Sequence, residues 1–338
     1  MTHTILFVLV VLLVGAQAPA ATVASYEGKT IRFVAGTAPG GGHDIHIRAI
    51  ARHFGRFVPG QPNVIVQNMA GAGGVVAGNY IYKVAKPDGL AIGFFPGGNI
   101  LLDLIDESGV EFDSRKLQWI GSASSAVATC FARNDSGVKT IDDVIGSAKP
   151  LVVGSSGRGT TMSIYPRALN AVLGTNFEVI EGYKGGSQVY LALERGEVNG
   201  VCGLFWSSIK ASRPDWVSNN FIRVFLQLGL DTEPELKQVP SVMDLVKKPE
   251  DRTFLEAVFA PLRMARPFFV GPDVPGENVK ILRQAFLNTL KDPAFIKEAE
   301  KLRLEITPTS GEEVETLIGK VFGSPPNVVK RISELLGS

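Results

Sequence analysis

The chain has 338 residues, of which 45% are hydrophobic and 20% are charged, and its formal net charge is +1. A chain of this length and composition is globular rather than disordered and suggests about two domains. The balanced charge argues against a nucleic-acid-binding protein, which needs a clustered basic face for phosphate contacts. No basic run is longer than Lys247-Lys248.

The N-terminus carries an apolar run from Ile5 to Ala16. This run is shorter than the roughly 20 residues that a membrane-spanning helix needs, and two A-x-A cleavage patterns follow it, at 16–18 and 18–20. We therefore predict a signal peptide over residues 1–24, cleaved near Ala18 to Ala24, with an uncleaved anchor as the alternative. No cysteine lies near the cleavage site, so we do not expect a lipoprotein anchor.

Export bears on cofactors and on the two cysteines. An oxidising compartment outside the cytoplasm supplies no useful ATP or NAD, so we expect no cofactor. Cys130 and Cys202 lie in apolar, strand-like runs and could pair there. Two buried free thiols are the preferred interpretation, because cross-strand pairs often fail the distance requirement of a disulfide.

Strands, glycine-rich loops and helical patterns alternate along the remaining chain. The first set has strands over 31–35, 64–67 and 90–94, helices from Asp44 to Phe57 and over 75–85, and a turn at 87–89. Asp44 stands at a helix N-cap position. The second set has strands over 126–132, 151–154, 177–180, 198–202 and 221–228, with helices over 140–145, 164–172 and 187–195. Ser187 is the expected cap of the last of these helices, and Gly174 and Gly196 are expected helix ends.

The C-terminal part is helical, over 277–290, 293–302, 311–322 and 326–336. Strands that alternate with helices predict an α/β fold with parallel sheets covered on both faces. Two such units predict two lobes. We expect the chain to cross between them near 122–126 and again near 228–232.

Three loops carry the candidate chemistry, over 38–44, 154–161 and 183–187. Each follows a strand and precedes a helix, where free backbone N–H groups and the helix dipole favour an anion. Glycine allows close approach of the backbone, and hydroxyl groups add donors suited to a carboxylate. The candidate ligand-binding residues are Ala38, Pro39, Gly40, Gly41, Gly42, His43, Asp44, Gly97, Asn99, Ser155, Ser156, Gly157, Thr160, Thr161, Tyr183, Lys184 and Gly185.

Other kinds of site fit these loops less well. The second loop has the glycine spacing of a phosphate loop, but Thr160 replaces the required lysine, and the first loop lacks dinucleotide-binding spacing. His43 and His46 could share a helix face, yet no third metal ligand accompanies them. Lys184 and Arg158 either neutralise a carboxylate or are solvated, and Tyr183 either walls the pocket or packs. Asp44 either orients a ligand or caps its helix.

A set of motifs occurs in order through most of the chain after residue 24. They are Tyr26-Glu27-Gly28-Lys29-Thr30-Ile31-Arg32, Pro39-Gly40-Gly41 with Asp44 and Arg48, Gln67-Asn68 followed by Gly71-Ala72-Gly73-Gly74, Pro87-Asp88-Gly89, Ser156-Gly157-x-Gly159-Thr160, Tyr183-Lys184-Gly185-Gly186 and Val239-Pro240-Ser241. This ordered set resembles the tripartite tricarboxylate transporter receptor family, also called Bug or TctC-type binding proteins.

The resemblance implies a two-lobed type II periplasmic binding protein, a Venus flytrap in which each lobe is a mainly parallel sheet flanked by helices. Residues 25–125 with 229–338 would form the first lobe, and residues 126–228 the second. It implies a monomeric periplasmic receptor that closes on a small carboxylate and delivers it to one large and one small integral membrane subunit. No ATP or other cofactor is involved.

Departures from the family pattern leave the ligand open among dicarboxylates, tricarboxylates and aromatic acids. They are His43 in place of a small hydroxyl residue, Ser163 in place of a histidine, Ala70 in place of a proline, and the stretch 247–266.

Two alternative functions remain. An exported hydrolase could use Ser155 or Ser156, although no G-x-S-x-G motif is present. A subunit that presents its ligand to a sensor would need the same clamp.

Overall fold

The computed structural model describes residues 26–336, so the predicted signal peptide and its cleavage site lie outside the described residues. Within 26–336, no helix has both the length and the apolar character needed to cross a membrane. The strands are β1 Thr30–Ala35, β2 Asn63–Asn68, β3 Ala91–Phe94, β4 Gln118–Ser122, β5 Ala128–Arg133, β6 Leu151–Gly154, β7 Phe177–Ile180, β8 Gly200–Phe205, β9 Ile222–Leu228, β10 Pro267–Val270 and β11 Thr309–Ser310.

Helices follow most of the strands. They are α1 Gly42–Phe54, α2 Val75–Lys83, α3 Asn99–Leu104, α4 Thr161–Leu173, α5 Gly186–Arg195, α6 Trp206–Ser212, α7 Asp215–Ser218, α8 Val242–Leu245, α9 Pro249–Phe259, α10 Gly276–Lys291, α11 Pro293–Lys301, α12 Gly311–Phe322 and α13 Pro326–Leu336. Gly174 and Gly196 end α4 and α5 in the left-handed conformation, with φ of 67° and 76°, which confirms both predicted helix ends.

The strands form two sheets. The first has the order β11-β4-β10-β3-β1-β2, and the second has the order β7-β6-β8-β5-β9. The predicted α/β class is confirmed, but both sheets are mixed rather than mainly parallel. β10 runs antiparallel to β3 and β4, and β5 runs antiparallel to β8 and β9. We call each sheet with the helices packed on it a lobe.

The antiparallel strands follow from the path of the chain between the lobes. The chain leaves the first sheet after Ser122 and enters the second at Ala128, and it returns between Leu228 and Pro267. The carboxyl ends of β1, β2, β3, β6, β7 and β8 face the other lobe, because the residues that follow them, or end β8, line one shared cavity. A strand that arrives from the other lobe enters at that edge and has to run the opposite way.

Three local predictions need correction. Residues 140–145 form only a 3-10 turn over Ile141–Asp143, because Thr140 and Asp143 close a capping box that the chain does not extend into an α-helix. Gly41 is the N-cap of α1, so Asp44 lies inside the first turn. Gly185 is the N-cap of α5, so Ser187 likewise lies inside the first turn of its helix.

The C-terminal helices pack on both lobes. α10 and α12 pack against β4 in the first sheet, whereas α13 packs against α4 and α9. α4 follows β6 of the second sheet, so this last helix contacts the second lobe. The assignment of residues 229–338 to the first lobe and of 126–228 to the second stays a prediction.

Cys130 and Cys202 form a disulfide between β5 and β8, and the preference for two free thiols is wrong. The two residues are directly paired across neighbouring strands, with Cα atoms 3.9 Å apart. The two Cα atoms are therefore well within the roughly 7 Å beyond which two cysteines cannot be bridged. Both side chains are fully buried.

Loss of this disulfide should destabilise the second lobe. The bond closes a loop of 72 residues, and chain entropy alone then predicts a loss of about 4 kcal/mol in the free energy of unfolding for the double variant Cys130→Ala, Cys202→Ala. Urea denaturation with and without a reductant measures it. Equal stability of the reduced and oxidised wild type would contradict the expectation.

Candidate functional site

A cavity of about 40 Å³ lies between the two lobes. It is lined by Gly36, Thr37, Gly41, Gly42, His43, Gly71, Gly73, Gly74, Pro96, Ser156, Thr160, Thr161, Met162, Lys184, Gly185, Gly186, Tyr190, Gly203, Leu204, Phe205 and Ser208. One water-sized group needs roughly 10–15 Å³ by this kind of measure, so the space suits about three heavy atoms. A carboxylate group has that size.

Asp44 holds the first loop in place. Its Oδ2 accepts hydrogen bonds from Gly40 N at 2.9 Å and from Arg48 Nε at 2.8 Å, and its Oδ1 accepts one from Asn68 Nδ2 at 2.8 Å. The residue is 2% exposed and does not line the cavity. Its carboxylate is fully used in fixing the turn that aims the N-terminus of α1 at the cavity.

His43 contributes a neutral ring to the cavity wall. The ring centroid lies 5.0 Å from that of Phe94 and 5.4 Å from that of Phe205. Nδ1 is buried, and no group in the described part of the chain forms a hydrogen bond with it. Burial, with a smaller contribution from the charge of Arg266, lowers the pKa of His43 to about 3. The side chain is therefore uncharged at neutral pH.

His46 is also buried, but it faces its own helix. Its Nδ1 lies 2.8 Å from the carbonyl oxygen of Gly42, and burial holds its pKa well below the usual value. Among residues 26–336 no three His, Cys, Asp or Glu side chains cluster as metal ligands would.

Hydroxyl groups of the second loop mostly brace the loop itself. Thr160 Oγ1 donates to Gly157 O at 2.7 Å and lies 3.1 Å from Ser155 Oγ, and Thr161 Oγ1 donates to Gly203 O at 2.5 Å. Thr160 is the N-cap of α4. The donors that remain for a ligand here are backbone N–H groups at the start of α4 and the hydroxyl of Ser156.

The third loop touches the first across the cleft. Ser187 Oγ donates to Pro39 O at 2.9 Å, and a Cβ placed on Gly185 would lie 2.9 Å from Ala38 N. Lys184, Gly185 and Gly186 line the cavity at the N-terminus of α5. This arrangement brings the starts of α1, α4 and α5 to one small space.

A larger cavity of about 530 Å³ adjoins the first and shares Gly71, Ser156 and Lys184 with it. Tyr183 and Gly157 line it. Arg158 of the second lobe and Glu107 of the first form an ion pair across it, with 2.6 Å between Arg158 Nη1 and Glu107 Oε1. A small acid held in the first cavity would therefore extend into a space lined with charged side chains.

The predicted residues thus fall into three groups. Those lining the first cavity are Gly41, Gly42, His43, Ser156, Thr160, Thr161, Lys184 and Gly185, and those lining the second are Ser156, Gly157, Tyr183 and Lys184. Neither lining includes Ala38, Pro39, Gly40, Asp44, Gly97, Asn99 or Ser155. Asn99 is fully buried and donates from Nδ2 to Gly73 O at 3.0 Å and to Pro96 O at 2.9 Å, so it supports two loops from behind.

Sequence reasoning missed the wall made by Met162, Tyr190, Gly203, Leu204, Phe205 and Ser208. Gly203 to Phe205 end β8. Their position at the carboxyl end of a predicted parallel strand is the signal that could have identified them as cavity residues. Tyr190 lies on α5 and Ser208 on α6, where no pattern distinguishes a cavity residue from a core residue.

Comparison with protein families now adds to this geometry. The family model of the tripartite tricarboxylate transporter family receptor matches residues 48–333. The chain belongs to this receptor family. No curated protein sequence matches the chain.

Several solved structures share the fold of this family member. The periplasmic binding protein BugD has a TM-score of 0.75 and 18% identity, over 92% of this chain and 98% of that one. An R. palustris protein with adipate has a TM-score of 0.71 and 16% identity, over 91% and 97%. MatC from Rhodopseudomonas palustris with bound malate has a TM-score of 0.69 and 16% identity, over 91% and 98%.

A side chain at Gly157 should keep the lobes apart. An added Cβ would lie 2.8 Å from Gly73 N in the other lobe, and φ there is +138°. We expect Gly157→Ala to destabilise the closed form by about 1–3 kcal/mol and to increase the radius of gyration measured by small-angle X-ray scattering. Gly137→Ala is the control, because its φ is +88° and nothing lies within 4 Å of the added atom. Equal radii for the two variants would contradict the close backbone approach of Gly157 to Gly73.

The buried histidines should make stability fall in acid. A histidine in the unfolded chain binds a proton below about pH 6.5, whereas folded His43 stays neutral to about pH 3. The unfolded state then binds more protons than the folded state. As the pH falls from 7 to 5, this histidine should therefore lower the free energy of unfolding by about 2 kcal/mol. Urea denaturation at both pH values should show a smaller loss in His43→Gln than in the wild type. Equal losses would show that His43 titrates normally.

Proposed function

We propose that this protein is a periplasmic receptor that captures a small carboxylate between its lobes. The observation that carries this proposal is the convergence of three helix N-termini on one carboxylate-sized cavity. The first turn of a helix has unpaired N–H donors and a partial positive charge, which favour an anion. Donors from both lobes would hold the ligand only in the closed form.

The receptor would hand its ligand to one large and one small integral membrane subunit of a tripartite secondary transporter. Membership of the receptor family supports these partners. The apolar run from Ile5 to Ala16 and the A-x-A patterns that follow it support export. The relatives with malate and adipate support a dicarboxylate as the first class to test. One carboxylate would occupy the small cavity and the rest of the ligand the larger one.

The site does not favour turnover of the ligand. Ser155 Oγ lies against Thr160 Oγ1 and the carbonyl of Gly157, and neither Ser155 nor Ser156 has a histidine partner among the described residues. A hydrolytic serine needs an adjacent base. We therefore propose binding and release without chemistry.

A thermal-shift screen tests this function. The protein beginning at Ser25, refolded from urea to remove any bound acid, is screened against mono-, di-, tri- and aromatic carboxylates, each beside its amide. An acid present at roughly 100 times its dissociation constant should stabilise by about 2.7 kcal/mol, which moves the unfolding midpoint by a few degrees. The amides should give no shift, because they carry no charge for the helix N-termini to hold. Absence of a shift with every acid would refute the carboxylate function.

A further inference from the structure

Arg266 precedes β10 at the junction of the lobes and is 1% exposed. Its Nη1 donates to Ser124 Oγ, and its Nη2 donates to Ser207 Oγ at 3.0 Å and to Ser208 Oγ at 3.4 Å. Its Nε is buried and has no hydrogen-bond partner among residues 26–336. All hydrogen-bond partners of the guanidinium are neutral hydroxyl groups.

No carboxylate of the described residues lies within ion-pair distance of Arg266. Glu305 acts on it only through space, raising its pKa against the effect of burial. Burial lowers the pKa of Arg266 to about 10, so the side chain still carries its charge at neutral pH. A buried cation without a counter-ion is costly, and proteins keep such groups paired or coordinated.

This charge lies directly behind the wall of the first cavity. Ser208 and Phe205 both line the cavity, and the Phe205 ring centroid is 5.4 Å from Arg266 Cζ. Burial lowers the pKa of His43, a further wall residue, and the charge of Arg266 lowers it more. Burial raises the pKa of Tyr190, also in the wall, and the charge of Arg266 partly offsets that rise.

Ser208 connects Arg266 with the start of α1. A Cβ on Gly42 would lie 2.3 Å from Ser208 Oγ, so this hydroxyl packs against the first residue of α1. Because Ser208 Oγ accepts from Arg266, its own hydrogen is free to point into the cavity. A cation that polarises a hydroxyl donor strengthens the bond that the donor makes to an anion.

We propose that Arg266 is the positioning residue that supplies the positive charge for the bound carboxylate, acting through the hydroxyl of Ser208. This inference rests on the proposed function and identifies the residue behind its charge selectivity. The anion would in turn be the counter-ion that the fold withholds from Arg266. Ser124 follows β4 of the first sheet, and Ser207 and Ser208 follow β8 of the second, so the charge is placed where the lobes join.

Two variants distinguish a role of the Arg266 charge in ligand binding from a purely structural role. They are Arg266→Met and Arg266→Lys, each titrated with malate, adipate and formate. Formamide is the neutral counterpart of formate. Loss of a buried charge partner predicts that Arg266→Met lowers affinity at least about 30-fold, while Arg266→Lys stays within about fivefold of the wild type. Arg263→Met is the matched control, because Arg263 is an exposed arginine three positions away; it should bind like the wild type.

Stability without ligand gives the decisive second readout. If Arg266 serves the ligand, the free Arg266→Met protein should unfold at the wild-type midpoint or above it, because an uncompensated buried charge is gone. A merely structural arginine would lose stability and affinity together, without recovery by lysine, and that result would overturn the inference. Unchanged affinity in Arg266→Met would also overturn it and leave the carboxylate function intact.

Failure of the proposed function is distinguishable. If the wild type binds neither malate nor adipate, the proposed function as a receptor for these acids is rejected. The role of Arg266 is then tested by formate binding alone. Stabilisation by formate over formamide that disappears in Arg266→Met would still support the inference. No stabilisation by formate in the wild type would overturn it as well.

Discussion

The backbones of the two lobes come into direct contact, because glycine occupies the positions of closest approach. A Cβ on Gly157 would lie 2.8 Å from Gly73 N, and one on Gly98 would lie 2.5 Å from the carbonyl oxygen of Gly159. Without side chains between them, the two sheets can bring the starts of three helices to one space. The proposed ligand site is therefore made largely of peptide N–H groups, whose positions depend on the fold and not on rotamers.

The protein as a whole carries a net charge of only +1, so the positive potential at this site comes from local groups: the helix dipoles, Lys184 in the cavity lining and the buried Arg266. His43 adds a polar ring but no charge, because burial lowers its pKa to about 3. The low dielectric that neutralises the histidine strengthens the field of Arg266 and of the helix N-termini. One environment thus excludes cations and favours a single small anion.

Much of this arrangement follows from local sequence. Glycine-rich turns between strand and helix patterns indicate anion-binding helix starts, and Gly174 and Gly196 mark helix ends. The roles of Asp44 and Thr160 do not follow, because their partners Asn68 and Gly157 become known only in the folded loops. The pairing of Cys130 with Cys202 depends on strand register, and the place of Arg266 depends on a return crossing from the other lobe.

In the proposed function, ligand recognition is divided between the two adjoining cavities, which differ in their tolerance to substitution. In the small cavity a changed residue disturbs backbone geometry, since even one methyl group on Gly42 would meet Ser208. The larger cavity is instead lined by side chains such as those of Glu107, Arg158 and Tyr183. Ser163, which departs from the family pattern, donates to Glu181 together with Arg167 and so supports that second wall. Under the proposed function, a carboxylate clamp made of backbone, combined with an outer cavity made of side chains, would let one fold bind different acids.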